Sequence, residues 1–156
     1  EVNNFITLRF NKHIGGDKAE VWRTDLLKQQ RYPIFEGEKF FGESFVWVNI
    51  SEKYDMIFRN KILYITEYLA GGLSKSGRAM RIQCPNGGMT NAELMMSRRF
   101  SLTQRIKGAL LYIAYSRFAK QSIKQTLRPP HFILKLLTFP VGTMIYFKWK
   151  RLLPRQ

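Results

Sequence analysis

The sequence predicts an α/β unit followed by a basic helical region. Three observations carry this. Residues 5–68 alternate β-rich apolar runs with stretches of helical spacing. Pro85-Asn86-Gly87-Gly88 is the strongest turn cluster in the chain and the expected boundary, giving units 1–84 and 85–156. The charge is divided unequally: residues 1–93 hold all 11 acidic residues and half of the 26 Lys and Arg, whereas 94–156 hold the other half and no acid.

The elements follow in chain order. Phe5 to Phe10 (FITLRF) alternates apolar and polar residues and predicts a strand. Gly15-Gly16-Asp17 is a turn signal. Lys18 to Gln30 predicts a helix, with Ala19, Val21, Trp22, Leu26 and Leu27 on a broad apolar face. Pro33 and Gly37 mark loop. Ser44 to Tyr54 predicts a second helix, and Met56 to Tyr68, containing ILYIT, one or two strands. Gly71-Gly72 through Gly77 reads as loop. Beyond the boundary the spacing predicts helices near 89–99, 101–127 and 131–151, with Pro129-Pro130 separating the last two. In the long helix, Arg117, Lys120, Lys124 and Arg128 share one face, opposite Leu111, Tyr115, Phe118, Ala119 and Ser122.

Composition bounds the class. The chain is 45% hydrophobic and 14% aromatic, enough to bury a core. A lone cysteine, Cys84, excludes an internal disulfide and fits a reducing compartment. The longest charge-free run near the C-terminus, Leu136 to Phe147, is too short to span a bilayer, which takes roughly 20 apolar residues. No secretory leader is recognised, and the first residue is not Met, so the chain is expected to begin inside a longer protein. The formal charge of +15 points to a polyanionic partner, either anionic lipid or nucleic acid.

Catalytic signals are sparse. There is no Cys/His cluster with metal-ligand spacing, no phosphate-binding glycine loop and no Asp-x-Asp pair. His13 and His131 lie in different regions and read as packing or surface residues. The main candidate is acidic: Glu36, Glu38 and Glu43 fall within eight residues, among Phe40, Phe41, Phe45 and Trp47. Aromatic neighbours desolvate a carboxylate and raise its pKa, which suits a general base. The alternative for the same residues is helix capping and a solvated loop.

The stretch from Lys18 to Ser74 resembles the second half of the catalytic domain of family-2 glycosyltransferases. The resemblance rests on a glycine-rich turn, a helix beginning near Arg23, a loop bearing F-x-E-G, the acidic pair position at Glu43-Ser44 and a strand pair ending in Tyr and Leu-Ser. It covers roughly residues 5–80. It implies the C-terminal part of a GT-A nucleotide-diphosphosugar transferase sandwich, which takes a nucleotide-diphosphosugar donor and a saccharide or lipid-linked acceptor. It implies Mg²⁺ or Mn²⁺, with the Asp-x-Asp that holds the metal in a preceding half. No metal ligand is expected in this chain. Ser44 stands where the family has its catalytic Asp. Either Glu43 takes over as base or the chain belongs to an inactive relative. By the same resemblance Asp17, Arg23, Glu36, Glu38 and Trp47 are candidate substrate contacts, and Trp22 and Trp47 can stack on a sugar face; the alternatives are a core role for both Trp, a surface role for Arg23 and a turn-and-cap role for Asp17.

The basic region completes the expectation. A basic amphipathic helix can rest on anionic headgroups, each Lys or Arg adding roughly 1 kcal/mol. That places the protein in the cytoplasm, peripheral at the inner membrane face. The competing reading is a non-catalytic basic module that binds membrane or nucleic acid. Nucleic acid is not the expected partner, because no recognisable nucleic-acid motif occurs.

Overall fold

The computed structural model describes residues 1–67, 73–151 and 153, with the backbone alone for 73–76. The described residues form a mainly helical structure with one small antiparallel sheet. Its strands, β1 (Val2–Asn3) and β2 (Met56–Ile57), pair Val2 with Ile57 and Asn3 with Met56.

The strand expected at Phe5 to Phe10 is instead a π-helical segment, Ile6–Asn11. Its wider turn is visible in the bond from Lys12 N to Thr7 O, 2.8 Å. That turn brings Phe5 and Phe10 edge to face, with centroids 6.0 Å apart. Phe5, Ile6, Val48 and Phe100 then form one apolar cluster. A six-residue alternation cannot by itself distinguish a strand from a buried turn.

The helix expected over Lys18 to Gln30 shrinks to α1 (Thr24–Lys28). Trp22 stacks on Trp47 at 6.2 Å and 13°, and Arg23 is extended. The upstream residues are therefore held out of helical geometry. Helix α2 (Ser44–Ser51) agrees with its expected start, and a further turn closes when Tyr54 N donates to Ile50 O at 3.1 Å. The strands expected over Met56 to Tyr68 reduce to β2; residues 58–67 have no regular structure, and Tyr68 lies outside the described residues.

Gly71-Gly72 also lie outside the described residues. The remainder of that expected loop is α3 (Leu73–Gln83), broken at Gly77, whose φ is 45°. Pro85-Asn86-Gly87-Gly88 is not a turn but the opening of α4 (Pro85–Met95). Proline suits the first helical position because its missing N–H has no intrahelical partner there. The two glycines serve close approach: a Cβ on Gly87 would lie 2.9 Å from the Phe41 ring, and one on Gly88 2.8 Å from the Tyr115 ring.

The long helix expected over 101–127 is two. Ser101 caps α5 (Leu102–Phe118), accepting from Gln104 N at 3.4 Å. Lys120, at φ 55°, ends the run, and Ser122 with Gln125 makes a reciprocal capping box for α6 (Ile123–Thr126). Arg117, Lys120, Lys124 and Arg128 therefore do not share one continuous helical face. Helix α7 (Phe132–Lys150) matches its expected limits within one residue.

Helices α4 and α7 both pack on α5. A Cβ on Gly108 would lie 2.9 Å from Ala92 O, and one on Gly142 2.7 Å from Ile113 Cβ, so both helix pairs meet at close range. Contacts also cross the expected boundary at Pro85. Asn11 Oδ1 accepts from Ser101 N at 2.8 Å, and Phe10 meets Phe100 at 5.1 Å.

Candidate functional site

The loop before α2 and the first turns of α4 face each other across a cleft. Phe41 anchors the loop, meeting Phe45 edge-on at 5.1 Å and Tyr32 at 6.0 Å. Gly87 lets Phe41 settle against α4. Glu38 fixes the junction. Its Oε1 accepts from Asn86 N at 2.7 Å and Asn86 Nδ2 at 2.8 Å, and its Oε2 from Gly87 N at 2.8 Å. These amides belong to the second and third residues of α4, whose N–H groups no intrahelical carbonyl can satisfy. Cys84, at the N-cap position, makes no side-chain cap bond. A carboxylate 48 residues upstream does the capping instead and meets the positive end of the helix.

The cleft encloses about 260 Å³, lined among others by Phe40, Ser44, Arg81, Asn91, Lys107 and Tyr115. Its wall offers aromatic faces, a hydroxyl, an amide and two cations. Burial pushes the Tyr115 phenol above its ordinary range, while the charges of Arg81 and Arg78 act in the opposite sense. Ser44 lines the cleft directly, and Glu43, its neighbour, sits exposed at the N-cap position of α2. Tyr32 is also raised, first by burial and then by the negative charge of Glu43.

The other sequence candidates are scattered. Arg23 makes an exposed ion pair with Asp25 at 2.9 Å, which raises Arg23 and lowers Asp25 through their hydrogen bond. Asp17 and Glu36 are exposed, on loops. Trp47 packs against the Phe5 cluster, with ring centroids 5.8 Å apart, and stacks on Trp22. His13 Nδ1 lies 3.3 Å from Gln104 Nε2, and His131 occupies the N-cap of α7 at φ 66°. The cleft thus brings Ser44, with Glu43 beside it, toward Arg81, Asn91 and Lys107; Asp17, Arg23, Glu36 and Trp47 do not line it. Sequence reasoning missed Arg81, Asn91 and Lys107. No local pattern marks them, because packing of α3, α4 and α5 brings them together.

Among the described residues no three His, Cys, Asp or Glu side chains are grouped so as to hold one metal ion.

No protein-family model matches the chain, and neither a curated protein nor a solved structure shows significant similarity to it.

Proposed function

We propose that the chain is the acceptor-side part of a glycosyltransferase that moves a sugar from a nucleotide-diphosphosugar to an acceptor hydroxyl in cell-surface polysaccharide or glycoconjugate synthesis. The observation that carries this reading is the cleft at the start of α2. Ser44 of the acidic-motif position lines it together with aromatic, amide and cationic side chains in a volume of about 260 Å³, and Glu43 precedes Ser44 at the N-cap of α2. Aromatic faces suit the apolar faces of a sugar, and Asn91 and Ser44 suit its hydroxyls. Arg81 and Lys107 suit the negative charge of an acidic saccharide or a lipid-linked diphosphate acceptor.

A second feature agrees. Ile62, Leu63, Tyr64 and Ile65 are 84%, 63%, 49% and 94% exposed. They have the composition of a strand, yet belong to neither strand of the sheet among the described residues. A GT-A sandwich strand whose neighbours are supplied by other residues would look like this.

In the proposed reaction the acceptor oxygen attacks the anomeric carbon. The new C–O bond forms as the bond to the diphosphate breaks, and the diphosphate departs with the electron pair. The acceptor proton passes to Glu43. Ser44 cannot take it, because a hydroxyl is not basic near neutral pH. Glu43 stands at the N-cap position of α2, one residue before Ser44.

The test is nucleoside diphosphate release by the protein carrying this chain, with UDP-, GDP- and dTDP-sugars in the presence of Mg²⁺ or Mn²⁺ and a membrane extract as acceptor source. Release with one donor class, reduced about 10²- to 10⁴-fold by Glu43→Gln, is expected for a general base. Unchanged turnover in that variant removes Glu43 from the role. No release with any donor removes the reading.

A further inference from the structure

Helix α7 is apolar nearly all round. Lys135, Thr138, Gly142 and Trp149 are buried on one side, where the helix meets α5. The opposite side is open. Ile133, Leu136, Leu137, Val141, Met144 and Phe147 are 71%, 48%, 74%, 51%, 69% and 58% exposed. Their spacing follows the helical period, so with Pro140 they form one stripe about 21 Å long. Lys148 and Arg151, both exposed, continue the same face at its C-terminal end. Arg128 lies toward the buried side instead, its carbonyl accepting from the buried Lys135 Nζ at 3.1 Å. No acidic residue occurs anywhere from 94 to 156.

We infer that this face of α7 is a docking surface for an anionic lipid bilayer, on which the helix lies flat. Charge complementarity selects that occupant. Cations at the C-terminal end of an apolar stripe match headgroups beside acyl chains. A second copy would bring two acid-free basic regions together and repel. No helix among the described residues is long and apolar enough to cross a membrane, so the contact is in the plane of the interface. The surface is also distinct from the α5–α6 face that charge spacing alone suggested. It is independent of the sugar-transfer reading and stands or falls separately.

The experiment is cosedimentation of the full chain with vesicles of phosphatidylcholine, pure or with about one third phosphatidylglycerol. Binding is expected to the anionic vesicles and to weaken with salt. Leu137→Gln with Met144→Gln withdraws two side chains that contact little of the protein. Binding should fall about 100-fold, tenfold for each, with the far-ultraviolet spectrum and melting temperature unchanged. Lys148→Glu with Arg151→Glu should abolish the preference for anionic vesicles. The inference is overturned if the parent chain does not sediment with anionic vesicles, or if the double Gln variant binds as the parent does. It is also overturned if the chain binds no vesicles and forms a dimer that the Gln substitutions dissociate, since a second copy then covers the stripe.

Discussion

Replacing Glu38 by alanine removes three acceptor contacts at once and leaves the N-terminus of α4 without a cap. The magnitude follows from the bonds described. Loss of a side-chain N-cap costs about 0.5–2 kcal/mol, and loss of a carboxylate at the positive end of a helix adds about 0.3–1 kcal/mol. The Glu38 site is half-buried, so water replaces the lost acceptor only in part. We expect a total of about 2–3 kcal/mol. Glu38→Gln keeps one acceptor oxygen and should lose about half of that. Equilibrium urea denaturation, followed by the fluorescence of Trp22, Trp47 and Trp149, measures both. Because the lost cap is local to α4, Cys84→Asp placed in the Glu38→Ala background should recover about 1 kcal/mol by capping from the N-cap position itself. A loss below about 0.5 kcal/mol in Glu38→Ala would refute the reasoning.

Three further outcomes follow from the packing. Gly108→Ala should destabilise by about 1–3 kcal/mol in the same denaturation assay, despite alanine's better helix propensity, because the new Cβ would sit 2.9 Å from Ala92 O on the backbone of α4. His131 has a lowered pKa, first through burial and then through Lys135 and Arg105, with Glu93 opposing. The unfolded chain therefore binds a proton more readily, so stability should rise with pH up to about 6.5, and the full penalty should apply below the folded-state pKa. His131→Asn, which tolerates the left-handed backbone, should flatten that slope in melting temperatures measured from pH 5 to 7. Lys135 is lowered mainly by burial, so its contribution to stability should improve as pH approaches 10.5, and Lys135→Met should remove this alkaline rise.

The helices that carry their own punctuation were legible in the sequence. Helix α5 begins at a serine that caps it, and α7 follows a proline pair. The break between α5 and α6 was written in Ser122-x-x-Gln125, a capping signal outweighed by the apolar spacing that runs through it. The region before α4 was less legible, because tertiary contacts decide it. Ile6 to Asn11 become π-helical around a cluster that includes Phe5 and Phe100. Trp22 leaves helical geometry to stack on Trp47, which follows it by 25 positions. Of the acidic-motif position, Ser44 lines the cleft and Glu43 does not. The role of Glu38 was half visible: a carboxylate near aromatics was noticed, but its partners begin at Asn86, beyond the reach of any local pattern. Arg81 and Lys107 enter the cleft from α3 and α5, and only packing brings them there.

The open run Ile62-Leu63-Tyr64-Ile65 has a consequence for the chain in solution. Four consecutive β-favouring side chains without charge form the kind of segment that seeds stacking between identical chains. Arg59 and Lys61 on one side and Glu67 on the other act as gatekeepers, since stacked copies would bring like charges into register. Colloidal stability of the isolated chain should therefore depend on those three charges more than on its melting temperature, and neutralising Lys61 should lower the concentration at which it precipitates while leaving the helices intact.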